Sequence, residues 1–196
     1  YTKAYSLLEM KKYAEAKKIF NSLSNEKNEY SNVATYYSAY IDYLQKNNKS
    51  ALNGFLKIEE TEEYKDIVPY YIVQIYYEEK EYKKSLEHGK KMLESNPNNK
   101  NNSEVYRIMG ECAYRENVFN EAIVYFGKYE KLAKKLQRNS SYMYGMSFFQ
   151  EKDYVNAVKY LTRATTPEDS IAQNAYLHLG HSYLLQNDKN NARMAF

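Results

Sequence analysis

The chain of 196 residues has little of several residue types, and each shortage narrows its class. It has one cysteine, Cys112, so it cannot form an internal disulfide. No apolar run approaches the ~20 residues that span a bilayer, so we expect no membrane insertion. The formal net charge is only +3, which argues against a dedicated nucleic-acid surface. No glycine-rich phosphate loop, nucleophile elbow or zinc-protease helix is present, so the sequence predicts no catalytic site and no cofactor.

Tyrosine is abundant instead, with 24 copies and no tryptophan. Hydrophobic residues make up 43% of the chain and aromatic residues 16%, a composition that argues against a disordered chain. A phenol ring can pack in a core while its hydroxyl reaches water, or it can line a binding surface. The composition therefore predicts one ordinary folded domain with many amphipathic rings.

One pattern of small and large residues recurs six times. The small residues that anchor it are Ala16, Ala51, Ser85, Ala122, Ala157 and Ala192, which are 35, 34, 37, 35 and 35 residues apart. Four residues later stand Phe20, Phe55, Gly89, Phe126, Leu161 and Phe196. Twelve residues before each anchor stand Ala4, Ala39, Val73, Gly110, Gly145 and Gly180. Three before each stand Tyr13, Asn48, Tyr82, Phe119, Tyr154 and Lys189.

This spacing predicts six pairs of helices that pack face to face. Small residues let two backbones approach, the large residue fills the gap beside them, and the aromatic residue closes the corner. The predicted helices span residues 1–10 and 13–25, 31–45 and 48–60, 66–79 and 82–95, 102–116 and 119–134, 138–151 and 154–165, and 170–186 and 189–196. Pro69 fits the first turn of a helix, whereas Pro97 and Pro167 follow helix ends. The second unit is irregular, because Asp42 falls where a core residue is expected, and its first helix could be shifted by one residue.

The Asn-rich run at 96–102 explains the spacing of 37, and we expect a solvated loop there. The four-point pattern resembles the tetratricopeptide repeat (TPR), a helix–turn–helix unit of about 34 residues. The resemblance covers the whole chain, although Val73, Ser85 and Gly89 depart from the pattern. It implies an all-α, right-handed solenoid whose first helices line a concave face. The units would span 1–27, 28–62, 63–97, 98–134, 135–168 and 169–196. The last is incomplete and would expose Met194 and Phe196, which predicts a longer parent protein with more repeats or a cap.

The resemblance also assigns a groove to residues on the first helices that point away from the second helices. The candidate partner-binding residues are Tyr36, Tyr40, Tyr43, Tyr70, Gln74, Tyr77, Arg107, Glu111, Tyr114, Tyr142, Met146, Phe149 and His181. Tyr5, Leu8, Leu177 and Leu184 extend the same series. Two interpretations remain open for each tyrosine: it contacts a partner, or it packs against the next repeat.

Other conspicuous residues have simpler interpretations. The pair His178 and His181 lacks a third ligand nearby in sequence, so we expect surface or groove histidines rather than a metal site. Cys112 is expected in the core. Groove positions carry mainly Tyr, apart from Arg107, which argues against a clamp for a partner's C-terminal carboxylate. Lysines cluster at 17–18, 83–84, 90–91, 131 and 134–135, on predicted second helices with acids interspersed, and we interpret them as a solvated face rather than a phosphate stripe.

The predicted function is a non-enzymatic scaffold that binds a peptide or partner protein along the Tyr-rich groove. Two alternatives remain: a carbohydrate- or cell-wall-binding module of a bacterial envelope protein, and a regulatory domain of a larger enzyme. The Asn-, Lys- and Tyr-rich composition favours a bacterial source and the cell envelope or periplasm, with the cytoplasm as the alternative. The sequence does not indicate an oligomeric state.

Overall fold

A computed structural model describes residues 1–26 and 28–196, and in this part of the chain every regular element is helical. The helices are α1 (Thr2–Glu9), α2 (Tyr13–Ser24), α3 (Ser31–Leu44), α4 (Asn48–Phe55), α5 (Val68–Glu78), α6 (Tyr82–Ser95), α7 (Asn102–Arg115), α8 (Phe119–Leu132), α9 (Arg138–Gln150), α10 (Tyr154–Leu161), α11 (Ser170–Leu185) and α12 (Lys189–Ala195). A 3₁₀ turn, Thr162–Ala164, follows α10. The all-α prediction is confirmed, and the predicted first unit boundary touches residue 27, which lies outside the described residues.

Most predicted helices match within a few residues, and two end early. The helix predicted to reach residue 60 ends at Phe55, and the one predicted to reach 165 ends at Leu161. Asn and Gly are weak helix formers, and Gly54 lies in the last turn of α4. The chain then turns so that Ile58 packs in the same core as Phe55. No helix in the described ranges is both long and apolar enough to cross a membrane.

In the three units whose first helix carries a glycine at the small position, the small-to-large packing is close enough to exclude one extra carbon. A Cβ added at Gly145 would lie 2.8 Å from Leu161 Cγ and 2.8 Å from the Leu161 backbone nitrogen. A Cβ added at Gly110 would lie 2.7 Å from the Phe126 ring. The rings of Phe20, Phe55 and Phe126 are fully buried, so the predicted packing is confirmed.

The second unit keeps the predicted alignment despite Asp42. Ala39 is 2% exposed, and a Cβ built on Gly54 would lie 2.7 Å from the Ala39 Cβ, so α3 and α4 meet at the expected position. Asp42 is 4% exposed and pairs with Lys17 on α2, with 2.5 Å between Nζ and Oδ1. The buried carboxylate is therefore compensated by a cation from the preceding unit.

Each turn within a helix pair contains one residue in the left-handed region, a feature that the sequence did not reveal. These residues are Lys11, Lys46, Lys80, Asn117, Lys152 and Asn187, with φ from 58° to 63°. At the second turn, the Asn47 N–H donates to the Asp42 carbonyl at 2.8 Å and the Lys46 N–H donates to that of Tyr43 at 3.1 Å. This is the Schellman pattern that closes a helix end. All six residues stand five positions before the anchoring small residue, so the turn repeats with the pattern.

The odd-numbered helices form the inner layer of the solenoid. Helix α5 packs against α7, α7 against α9, and α9 against α11. Within the described ranges, consecutive even-numbered helices do not pack together to a comparable extent. The even helices are therefore farther apart on the convex side, and long side chains bridge part of that gap, as from Lys90 on α6 to Glu121 on α8 at 3.0 Å.

Most of the lysine clusters on the even helices pair with acids, as expected. Lys83 lies 3.8 Å from Glu116, Lys84 lies 3.3 Å from Glu81, and Lys91 pairs with Glu60. One prediction was wrong, because α8 ends at Leu132 and Lys134 and Lys135 therefore lie on the loop that follows it. Their surroundings differ from those of the helical lysines.

Candidate partner-binding groove

The structure places the candidate groove residues on the odd-numbered helices at three levels of exposure. Ten are half-buried: Tyr36, Tyr40, Tyr43, Tyr70, Gln74, Tyr77, Arg107, Tyr114, Tyr142 and Phe149. Glu111 and Met146 lie almost beneath the surface, with 3% and 5% exposed. His181 is exposed. The half-buried rings are those with area left for a partner.

The first three tyrosines of this series belong to an aromatic cluster between two units. The Tyr36 ring stacks on Tyr64 at 4.9 Å between centroids. The Tyr40 and Tyr43 rings lie edge-to-face with the Tyr71 ring, with 5.8 Å and 5.1 Å between centroids. Burial raises the pKa of the Tyr40 and Tyr43 phenols. Packing against the next repeat therefore covers part of each ring, and the rest of the ring surface is accessible to a partner.

Hydrogen bonds fix the orientation of the next groove residues. The Tyr43 hydroxyl donates to Gln74 Oε1 at 2.9 Å, and Gln74 Nε2 donates to the Tyr70 hydroxyl at 2.9 Å. The chain of contacts runs from α3 to α5. Because both phenols and the amide are already held, a ligand would meet a surface that loses little conformational entropy on binding.

A buried carboxylate ties three odd-numbered helices together. Glu111 on α7 accepts from the Tyr77 hydroxyl on α5 at 2.5 Å and from the Ser140 hydroxyl on α9 at 3.0 Å. It also pairs with Arg107 at 2.6 Å, and Arg107 makes two further hydrogen bonds to Glu104 at 2.9 and 2.5 Å. Burial alone would lower the pKa of Arg107, but its bonds to Glu104 and the charge of Glu111 raise it overall. Each of the three guanidinium nitrogens thus already donates to a carboxylate of this chain, which supports the argument against a carboxylate clamp.

In the third, fourth and fifth units, the end of the inner helix contacts the corner aromatic residue of the same unit. Tyr77 lies 6.2 Å from Tyr82, and Phe149 lies 5.8 Å from Tyr154 in an edge-to-face arrangement. The predicted corner role of the aromatic residue at the start of the second helix is therefore confirmed. The corner residues thus pack against the groove residues Tyr77 and Phe149.

Comparisons with known proteins agree with this geometry. A family model described as Tetratricopeptide repeat matches residues 1–26. The structure of MamA from AMB-1 superposes with a TM-score of 0.73 at 13% identity, covering 86% of this chain and 90% of that chain. The fold is a TPR solenoid. A TPR protein from Parabacteroides merdae gives a TM-score of 0.69 at 15% identity, covering 99% of this chain and 75% of that chain.

A third similar structure is that of YrrB, which is described as a TPR protein with an unusual peptide-binding site. Its TM-score is 0.71 at 16% identity, and the match covers 89% of this chain and 87% of that chain. No curated protein matches the chain. At these identities the likeness shows the TPR fold and assigns no role to individual groove residues.

The TPR solenoid also has a recess at one edge of the groove, which we call the groove-edge recess. Its volume is about 610 Å³, and Tyr36, Tyr70 and Tyr71 form one wall. The other wall is the loop 96–101, held where Asn96 Nδ2 donates to Asp66 Oδ1 at 2.8 Å. The Asn-rich insertion was expected to be a solvated loop, and part of it instead borders the groove. In the sequence, only the spacing of 37 residues between Ser85 and Ala122 indicated that this loop is longer than the others.

The histidines and the cysteine of the TPR solenoid have separate surroundings. His178 Nδ1 lies 2.8 Å from the Asn174 carbonyl, whereas the His181 ring meets the edge of Phe196 at 5.5 Å. Among the described residues, no group of three His, Cys, Asp or Glu side chains could hold a metal ion. Cys112 is fully buried, and burial raises the pKa of its thiol to about 12, so its predicted place in the core is confirmed.

Proposed function

We propose that this TPR solenoid is a non-enzymatic scaffold that binds an extended segment of a partner protein along its concave groove. The observation that carries the proposal is the series of half-buried tyrosines on successive inner helices, with the groove-edge recess beside them. Tyrosine supplies rigid contact area together with a hydroxyl group, which suits protein interfaces. The unusual peptide-binding site described for YrrB is consistent with this use of the fold.

The hydrogen-bonded part of the groove favours an extended peptide. Tyr70 and Gln74 are held in place by each other, and Tyr70 also lines the groove-edge recess. The side-chain amides of Asn98 and Asn101 in the opposite wall supply donors and acceptors that match a peptide backbone. We propose that one side chain of the peptide enters this recess while its backbone meets the amides.

The carbohydrate-binding alternative has less support from the same residues. Sugar recognition by tyrosine relies on a free ring face. In the groove-edge recess, Tyr36 stacks on Tyr64 at 4.9 Å and Tyr71 stacks on Phe55 at 5.1 Å. One face of each ring is thus covered by another aromatic ring of the protein, and the ring edges and hydroxyl groups point toward the recess.

A peptide selection followed by matched substitutions tests the proposal. Peptides are selected from a random display library on the intact chain, and the affinity of a selected peptide is measured by calorimetry. Tyr70→Ala and Tyr114→Ala should each weaken binding at least tenfold, the size typical of an interface hot spot of about 1.4 kcal/mol or more. Tyr176→Ala removes an exposed tyrosine outside the candidate set and should leave the affinity unchanged.

Two results would contradict the groove assignment. One is an equal affinity for the wild-type chain and both groove variants while circular dichroism shows intact helices. The other is a loss of binding in Tyr176→Ala as large as the loss in the groove variants. If no peptide is selected and a glycan-binding screen of the same chain gives a hit, the carbohydrate alternative is favoured instead.

A further inference from the structure

A second recess lies at the junction of the fourth and fifth units, and we call it the basic recess. It has a volume of about 1000 Å³. Its lining residues are Glu130, Ala133, Lys134, Lys135, Leu136, Gln137, Arg138, Ser141, Arg163 and Thr166. Four of them are cationic and one is acidic, in a chain whose total net charge is only +3. The lining comes from the last turn of α8 and the loop after it, the start of α9 and the segment after α10.

The two arginines of the basic recess already have partners. Arg163 lies 2.8 Å from Glu130, and Arg138 makes two bonds to Asp169 at 2.6 and 2.7 Å. These pairs fix the walls of the recess and cancel most of their own charge.

The two lysines differ from the arginines. Lys134 and Lys135 are exposed on the loop, and neither forms an ion pair with a described residue. Elsewhere on the convex side, lysines such as Lys90 are bridged to acids of the neighbouring unit. The recess therefore has about two positive charges that nothing in the described chain neutralises.

Neutral donors face the same space. Helix α9 begins after Gln137, whose side chain makes no capping hydrogen bond, so the first backbone N–H groups of the helix have no side-chain acceptor. Ser141, one turn later, is 2% exposed and lines the recess, and its hydroxyl makes no hydrogen bond to a described residue. A nearly buried serine whose hydroxyl has no hydrogen-bond partner among the described residues thus lines the same recess as two lysines that form no ion pair with them.

We propose that the basic recess binds the phosphoryl group of a small organic phosphate. A phosphoryl group brings close to two negative charges and three acceptor oxygens at neutral pH, which matches two lysines, a hydroxyl and helix N–H groups. A volume of about 1000 Å³ exceeds what a single ion needs and lies in the range of sites for small molecules. The site is separate from the groove and does not depend on the function proposed for it.

Titration calorimetry of the full chain with pyrophosphate, at low ionic strength, tests the site. Lys134→Gln together with Lys135→Gln should weaken binding roughly tenfold, because both lysines that form no ion pair with a described residue are neutralised. Ser141→Ala should weaken it less, without a change in net charge. The control Lys49→Gln with Lys189→Gln removes the same charge at exposed positions outside the recess and should leave the affinity unchanged.

Three outcomes would overturn the proposal. The first is no measurable binding of pyrophosphate by the wild-type chain. The second is an equal loss of affinity in the recess pair and the control pair, which would mean nonspecific attraction by net charge. The third is binding of citrate as tight as that of pyrophosphate, which would assign the recess to carboxylates instead. Circular dichroism of each variant verifies that the helices are intact.

Discussion

Replacing lysine by glycine should stabilise this protein at the turn position that repeats in every unit. Lys80 and Lys152 have φ values of 61° and 63°, in the left-handed region. This conformation costs an L-residue roughly 1–2 kcal/mol, and glycine adopts it freely. Glycine loses more backbone entropy on folding, by roughly 0.5–1 kcal/mol relative to alanine. The difference predicts a gain of about 0.5–1 kcal/mol per site.

The structure also predicts that the gain differs among the turns. Lys46 lies 2.9 Å from Glu78, so Lys46→Gly gives up a surface ion pair worth up to about 1 kcal/mol and should be close to neutral. Asn117 is in the same conformation, but asparagine tolerates it, so Asn117→Gly should gain less than Lys80→Gly. The order of the four variants is therefore part of the prediction.

Thermal and urea unfolding measure these differences. The double variant Lys80→Gly with Lys152→Gly should gain about 1–2 kcal/mol, or roughly 2–8 °C in Tm for a chain of this size. The control Lys18→Gly places the same substitution at an exposed position inside α2 and should lose about 0.5–1 kcal/mol. If the turn variants are destabilised as much as Lys18→Gly, the left-handed backbone is not a cost in this protein and the reasoning is refuted.

Three further predictions concern packing, the buried carboxylate and alkaline pH. Gly145→Ala should lower the free energy of unfolding in urea by about 1–3 kcal/mol, because backbone atoms block the new Cβ. The control Gly127→Ala should cost nothing, because its Cβ would meet only a hydroxyl at 3.2 Å. Equal effects of the two substitutions would contradict this reasoning. Arg107→Ala should lower the free energy of unfolding by about 3 kcal/mol, because it removes the cation that pairs with the buried carboxylate of Glu111. A loss smaller than the roughly 1 kcal/mol that an exposed ion pair contributes would contradict this prediction. Burial and the bond to Glu111 raise the pKa of Tyr77 to about 12, so its contribution to stability is present below about pH 10 and is lost as pH rises toward 12. Tyr77→Phe should reduce that alkaline loss in urea unfolding across a pH series.

The helices and their internal packing could be predicted because they depend on residues that recur at a fixed spacing. Gly145 and Leu161 are sixteen residues apart in one unit, and both belong to the repeated pattern. The left-handed turn could not be predicted in this way. Its conformation follows from hydrogen bonds at the helix end, and Lys is not a residue that signals it.

The functional surfaces were less predictable because they combine residues from different units. Arg107 and Glu111 could be placed on one helix face by their spacing. That Tyr77 and Ser140 would complete the bonding of Glu111 depends on how neighbouring units stack. The basic recess was missed because Lys134 was assigned to a helix, and an error of two residues at that helix end changes what it faces.

The bonding of Glu111 has a mechanical consequence. One side chain joins α5, α7 and α9, so the third, fourth and fifth units share a link that does not pass along the backbone. Each of these bonds joins immediate neighbours, as contacts in a solenoid do, but both end on the same carboxylate. If the chain is pulled from its two ends, we expect the outer units to peel away first, while these three helices separate together in a single step.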